Sequence, residues 1–412
     1  MTKQKFPREQ IHEQSADSDN SESTQLPTEG DGGAEAATVS RRTVVKAGAG
    51  ALAATVLAAC TPEIPNQNQP PTTTKPPETR KGTGTTPPKR ETPPENRETQ
   101  PPPETREEPV EPPPRREPPV SNKTKVYVIK TKDRVAGLTK IMSLAGLDFA
   151  KGKNVLIKPN WVSTDPYPAI THNDTLRTVV AELRKAGCKD IVAGESAGLG
   201  RTTQVLKGLK TQELCDELKI ELMNFDDLKE DQWESFKFDG MYWDGELAVP
   251  KILRGEHAVV MLVNCKTHNL GGHYTMSLKL SIGVTPVPRR SALHSSGNIP
   301  GWSTDVNAGF KTDLVVMDAL SCFVDGGPTR GTEAHPGLLV ASTDRVALDA
   351  VGVAILKANG ATAAPLQKKI FETTQIARAV EINLGVPSAD QIELVCDDEE
   401  TRKQLQDLLD QG

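Results

Sequence analysis

The sequence predicts an α/β domain over residues 121–412: a largely parallel sheet with helices on both faces and a small strand-rich insertion. Three observations carry this. Short apolar runs alternate with amphipathic stretches along the segment. Two of the runs, HAVVMLVNCKTH (257–268) and DLVVMDAL (313–320), have continuous apolar stretches, as expected of strands covered on both faces. Repeated strand-then-helix units then favour parallel neighbours, because the crossover returns each strand in the same direction.

KVYVIKT (125–131) reads as a strand and RVAGLTKIMSLAGL (134–147) as a helix. GKNVLIKPNWV (152–162) is a second strand, ended by Pro159. NDTLRTVVAELRKAG (173–187) follows as a helix, with Leu176, Val179, Val180 and Leu183 on one face. Asn173 or Asp174 is expected to cap its start and Gly187 its end. CKDIVAGES (188–196) is a third strand, a helical stretch covers 203–219, and IELMNFD (220–226) is a fourth strand. FKFDGMYWDGELAVPKIL (236–253), with Gly in its turns, reads as an inserted hairpin. The alternation then resumes with the two apolar strands. GLLVAST (337–343) leads into the helix DRVALDAVGVAILKANG (344–360), with Asp344 near its cap. A helix around 365–384, a strand QIELV (391–395) and a helix near 398–409 complete the segment.

The preceding residues are of another kind. SRRTVVKAGAGALAATVLAAC (40–60) places Arg41-Arg42 before a 13-residue apolar run that stops at Cys60. This resembles a twin-arginine export signal ending in a lipobox. The run is shorter than the ~20 apolar residues a spanning helix needs. Residues 1–60 are therefore expected to be a lipoprotein signal with Cys60 lipidated. The expected partners are the twin-arginine translocase and the membrane, through that lipid anchor. The expected location is the cell envelope, facing the periplasm or exterior. Residues 61–120 hold 19 of the chain's 32 prolines, with PPETR at 76–80 and 102–106 and PPENR at 93–97. With no apolar pattern to bury, they read as a disordered, extended Pro-rich linker.

Residues 121–412 carry 34 basic and 37 acidic residues with no basic block, which argues against a nucleic-acid partner. Their five cysteines (Cys188, Cys215, Cys265, Cys322 and Cys396) include no CxxC pair, so an iron–sulfur cluster is not expected. Any other cofactor is left unknown by the sequence.

In a parallel sheet, ligands bind outside the carboxyl ends of the strands. Four predicted strands run into polar sequence there: Lys158-Pro159-Asn160-Trp161, Gly194-Glu195-Ser196, Asn264-Cys265-Lys266-Thr267-His268, and Asp318 leading on to Asp325-Gly326-Gly327-Pro328-Thr329-Arg330. Lys158, Lys266 and Arg330 are candidates to hold an anion. His172, His268 and His273 are candidates for proton transfer, and His268, His273 and Asp325 for a metal. Glu195, Asp318 and Asp325 are candidate bases. His257 and His294 read as structural. GESAGLGRTT (194–203) fails the phosphate-loop templates, since Thr203 stands where a third glycine is expected. No His-Glu-x-x-His motif occurs.

The ordered segments VLIKPNW, THNDTLRTVVAELRKAG, IVAGES, VNCKTHNLGGHYTMSLKLSIG, VVMDALSCFVDGGPTRG and LVASTDRVALDAVG resemble the DUF362 family of uncharacterised proteins over roughly residues 125–360. Members often carry either a ferredoxin-like segment or a twin-arginine signal, and this chain resembles the second kind. Where the family pattern has Lys-Asn after the His-containing loop, this sequence has Lys279-Leu280. The resemblance implies a fold and a probable site, not a reaction. Two functions are compatible with these readings. One is an envelope enzyme acting on a small anionic substrate, with catalytic Lys266, His268 and His273 and with Lys158, Asn160, Glu195, Lys279 and Arg330 binding substrate. The other is a non-catalytic lipoprotein that binds a ligand or partner.

Overall fold

A computed structural model describes residues 123–411. The signal with Cys60 and the Pro-rich segment 61–120 lie outside the described residues. Among those described, no helix is long and apolar enough to cross a membrane.

The elements follow the predicted alternation. The first half contains β1 (Thr124–Lys130), α1 (Arg134–Ala145), β2 (Val155–Lys158), α2 (Asn173–Lys185), β3 (Ile191–Glu195), α3 (Thr202–Gly208), α4 (Thr211–Leu218) and β4 (Glu221–Asn224). The inserted hairpin is β5 (Trp233–Phe236) and β6 (Leu247–Pro250), an antiparallel pair outside the main sheet. Then come β7 (Ala258–His268), β8 (His273–Thr275), α5 (Ser277–Leu280), α6 (Val287–Ser295), α7 (Ile299–Asp305), β9 (Leu314–Gly326), β10 (Gly331–Ala334) and β11 (Leu338–Ser342). The chain closes with α8 (Arg345–Ala358), α9 (Thr374–Glu381), β12 (Ile392–Cys396) and α10 (Glu399–Asp410).

The main sheet runs β12-β1-β11-β9-β7-β2-β3-β4, with β8 paired to β7 and β10 to β9. Along that path every pairing is parallel except the two made by β11. The carboxyl ends of β2, β3, β7 and β9 therefore share one edge, as the sequence predicts. β7 and β9 are the longest strands, at 11 and 13 residues, and their distal ends fold back as the β7–β8 and β9–β10 hairpins.

Strict alternation along β7 and β9 divides the core between two faces. Ala258, Val260, Leu262, Leu314 and Val316 join Leu138, Ile141, Val179 and Leu183 of α1 and α2 in one cluster. Val259, Met261, Val263, Val315 and Met317 face the other way, against Val351, Ile355, Ile376 and Leu405 of α8, α9 and α10. All 11 residues of β7 are buried. At ~1.5–3 kcal/mol for each fully buried large aliphatic, this strand anchors both layers. Helix boundaries follow side-chain caps. Asp344 accepts from the Val346 and Ala347 amides at the start of α8. The start of α2 departs from expectation: His172, not Asn173 or Asp174, is the cap, its Nδ1 accepting from the Asp174 amide at 3.1 Å.

Candidate functional site: a buried lysine pair at the sheet edge

At the shared edge, β2 and β3 end side by side in Lys158 and Glu195. The Lys158 ammonium lies 2.5 Å from a Glu195 carboxylate oxygen, and both side chains are buried. Lys158 also donates to the Pro159 carbonyl at 2.7 Å. Glu195 accepts from the Trp161 amide at 2.7 Å and the Ser196 amide at 2.8 Å. Burial lowers the Lys158 pKa, and the facing carboxylate opposes that shift. This pair is electrically closed. It fixes the turns that leave β2 and β3 and leaves no free charge for a ligand.

Next to it, beyond the end of the β2–β7 pairing, lies a cavity of about 60 Å³. Asn160, Glu195, Ser196, Lys266, His268, Thr275, Lys279 and His294 contribute its polar wall; Leu270, Leu280, Ile282 and Leu293 are among its apolar lining. The Asn160 amide donates to Asn264 at 2.9 Å, and Asn264 donates to the Ile170 carbonyl at 3.0 Å, which ties the loop after β2 to β7. Arg290 of α6 donates to Ser196 and reaches both oxygens of Asp226 at 2.9 and 3.0 Å. That cluster fixes Ser196, the first residue of the loop following β3.

Two of the polar residues are cations without a carboxylate partner. Lys266, on the β7 extension, is fully buried and donates to the carbonyls of Ala169 and Pro328. Lys279, in α5, is 8 % exposed and has no hydrogen-bond or ion-pair partner among the described residues. Burial, and then the charge of Lys279, pull Lys266 down to about 7, with Asp165 opposing. Burial alone pulls Lys279 down to about 8. The α5 turn that carries Lys279 is held from α8. Asp349 accepts from the Ser277 amide at 2.9 Å, the Leu278 amide at 3.0 Å and the Ser277 hydroxyl at 2.6 Å.

His268 stands beside the lysines, and its Nδ1 accepts from the Gly272 amide at 3.2 Å. The neutral ring therefore carries its proton on Nε2. Burial and the two lysine charges lower its pKa to about 2, so in the ligand-free protein it is a neutral hydrogen-bond donor throughout the physiological range. A Cβ on Gly272 would sit 2.4 Å from Lys279 Cε and 2.6 Å from His268 Nδ1, so only glycine lets the lysine arm and the imidazole lie side by side.

The structure thus brings Lys266, His268, Lys279, Asn160 and Glu195 together, with Lys158 behind Glu195. It does not bring Arg330, His273 or Asp325 to this cavity. The Arg330 side chain is 90 % exposed and lies 3.5 Å from Asp165. His273 pairs with His268 across the β7–β8 hairpin, but its backbone is left-handed (φ 59°) and it does not line the cavity. Asp325 is exposed. Among the described residues no group of three or more His, Cys, Asp or Glu side chains is placed to hold a metal, so His268, His273 and Asp325 do not form a metal centre. Asp318, the other candidate base, is tied up by Arg134 at 2.8 Å, Tyr167 at 2.7 Å and Thr175 at 2.7 Å. His294, read from the sequence as structural, lines the cavity, and burial together with Lys279 lowers its pKa. Thr275, His294 and Asp349 carry no motif that would single them out. Ser196 is the central residue of Gly194-Glu195-Ser196-Ala197-Gly198, a Gly-x-Ser-x-Gly spacing that marks a nucleophile elbow where a histidine faces the serine; here the hydroxyl donates to Asp226 and accepts from Arg290, with no histidine among its hydrogen-bond partners in the described residues.

No curated protein matches this chain. A family model described as a domain of unknown function matches residues 155–354, a span from β2 into α8 that includes every residue lining the cavity. Over those residues the chain carries a DUF362 domain.

Proposed function

We propose that the DUF362 domain is an enzyme for a small anionic substrate, exported and held at the cell envelope through Cys60. One observation carries the substrate class: Lys266 and Lys279 line a single cavity, both buried and neither ion-paired among the described residues, while the Glu195 carboxylate in its wall is taken by Lys158. Uncompensated buried charge is costly, and an anion in the cavity offsets that cost. Lysine suits a compact anion, which it meets as a point charge. The acid–base capacity for a reaction lies in the same two groups. With pKa values of about 7 and about 8, each exchanges protons near neutrality. His268 takes the role of a fixed donor rather than a proton carrier. Support for the envelope location is the order of Arg41-Arg42, the short apolar run and Cys60.

The test is calorimetric titration of the full chain with phosphate, acetate and glyoxylate. At least one should bind, with an affinity that falls as pH rises from 7 to 9 and the lysines lose their protons. Lys266→Met and Lys279→Met should each weaken binding at least tenfold. Absence of binding, or binding indifferent to both substitutions, would falsify the anion reading. Anion recovered chemically unchanged after long incubation with each of a panel of co-substrates would favour the non-catalytic binding lipoprotein. For the anchor, Cys60→Ser should move the protein from the membrane to the soluble envelope fraction.

A further inference from the structure

We propose that Lys279 is an imine-forming nucleophile and that the substrate of this cavity is a small 2-oxo acid, an inference that rests on the anion site above. The two lysines are not equivalent. Lys266 Nζ is fixed by the Ala169 and Pro328 carbonyls, which hold it as a stationary donor for a carboxylate. Lys279 Nζ has no acceptor among the described residues, although the residue is more than nine-tenths buried and lines the cavity. An anion clamp would be expected to fix its second cation as it fixes Lys266, yet Lys279 carries no hydrogen bond among the described residues. A neutral amine loses far less by such burial, and a lysine desolvated beside another cation is the arrangement that frees an amine to attack a carbonyl.

The surroundings fit that chemistry. Leu280, Ile282 and Leu293 keep the wall beside Lys279 apolar. The arm of Lys279 is laid against the His268 ring by the absence of a side chain at Gly272. His268, with its proton on Nε2, is a donor to the carbonyl oxygen as negative charge builds there. The cavity, about 60 Å³, has room for a ligand of a few heavy atoms, which the shortest 2-oxo acids satisfy.

The step balances without a redox partner. The Lys279 amine adds to the carbonyl carbon, forming the C–N bond while the carbonyl π bond opens. One amine hydrogen passes to the oxygen, giving a carbinolamine. The C–O bond then breaks, and the second amine hydrogen leaves with the oxygen as water. The product is the imine, with the substrate carboxylate against Lys266.

The experiment is reductive trapping of the full chain with glyoxylate and cyanoborohydride at pH 8, read by intact mass and peptide mapping. The expected result is one reduced glyoxylate adduct, mapped to Lys279 and formed at least tenfold faster than on any exposed lysine. It should be absent in Lys279→Met and slowed at least tenfold in Lys266→Met. Lys279→Arg keeps the charge without the nucleophile; it should still bind acetate by calorimetry and form no adduct. If acetate binds the wild type and requires Lys279 but no Lys279 adduct forms, the imine is overturned and the anion site stands. If neither adduct nor anion binding appears, both fall. Labelling spread evenly over surface lysines, or placed on Lys266, also overturns the assignment.

Discussion

Replacing Lys279 by methionine should make the ligand-free protein more stable, contrary to the usual effect of changing a buried residue. The side chain is 8 % exposed and has no partner among the described residues, and burial lowers its pKa from the ordinary 10.5 to about 8. At pH 7 it is still largely protonated in both the folded and unfolded chain. At about 1.4 kcal/mol per pH unit, holding that charge inside costs the fold about 3 kcal/mol. Methionine is unbranched and of similar length, so it fills the same path without the charge. Urea denaturation at pH 7 should therefore show a gain of up to about 3 kcal/mol, diminished by any strain the new side chain introduces. The sign with pH follows from the same numbers. The unfolded chain keeps the lysine proton up to 10.5, and the folded chain only to about 8. Wild-type stability relative to the variant therefore rises as pH climbs from about 8 to 10.5, and the variant's advantage vanishes there. Added anion should close the gap at pH 7 from the other side, by stabilising only the wild type. A Lys279→Met protein that is less stable than wild type at pH 7 by 1 kcal/mol or more would refute the reasoning. It would mean that the ammonium is satisfied by the fold itself.

Three other substitutions separate structural from functional charge. Lys158→Met leaves Glu195 charged and buried beside an apolar group. It should cost ~3–5 kcal/mol in urea denaturation, and adding Glu195→Gln should restore part of that; no restoration would place the cost in packing. Gly327→Ala adds a Cβ only 1.9 Å from the Thr267 carbonyl oxygen, at a residue with φ of 72°. The turn must move, taking the Pro328 carbonyl away from Lys266. A loss of roughly 2 kcal/mol or more, with weakened anion binding, is expected, and an unaffected variant would contradict the close approach. Asp349→Ala strips two buried amides of their acceptor at about 1–3 kcal/mol each and releases the α5 turn that aims Lys279. Burial pushes the Asp349 pKa up to about 6, against 3.8 in the unfolded chain. The wild-type advantage over this variant should therefore grow as pH falls from about 6 to 3.8. A difference that shrinks over that window would show that Asp349 is held as a carboxylate.

The fold was legible because its signals are repeated and local. β7 and β9 read as two-sided strands from apolar runs, and the structure sorts their alternate residues onto opposite helical layers. Asp344 reads as a cap and acts as one. The local signals failed where a tertiary partner decides. His172 displaces the better-known capping residues beside it, its ring held edge-on to Tyr167 at a centroid distance of 5.6 Å. The run from β8 to α7 was invisible as structure. Its helices are 4, 9 and 7 residues long, too short for a helical period to register, and α5 begins where a carboxylate on α8, 72 residues away in sequence, receives its first amides.

The site was legible as a place and not as a charge distribution. Polar residues at four strand ends mark the sheet edge, and Lys266, His268 and Glu195 stand where that argument puts them. Strand-end position does not say which charge meets which. Lys158 and Lys266 look alike in sequence, each closing an apolar strand. The parallel β2–β3 register sets Glu195 beside the first, while the β7 extension carries the second to backbone carbonyls, outside ion-pair reach of any carboxylate among the described residues. Arg330 and Asp325 share the edge in sequence, but Asp325 lies near the end of β9 and Arg330 in the turn to β10, where both are exposed. Lys279 and His294 come from the helical run between β8 and β9, where no strand-end rule applies. What distinguishes the candidate site from the polar residues around it is charge left over after the pairing is done. Lys158 is balanced by Glu195, Arg134 by Asp318 and Arg290 by Asp226, whereas Lys266 and Lys279 share one cavity and neither has an ion-pair partner among the described residues. That remainder exists only in the folded chain, so the sequence could name Lys266 and Lys279 among its candidate cations but could not set them apart from Lys158 and Arg330.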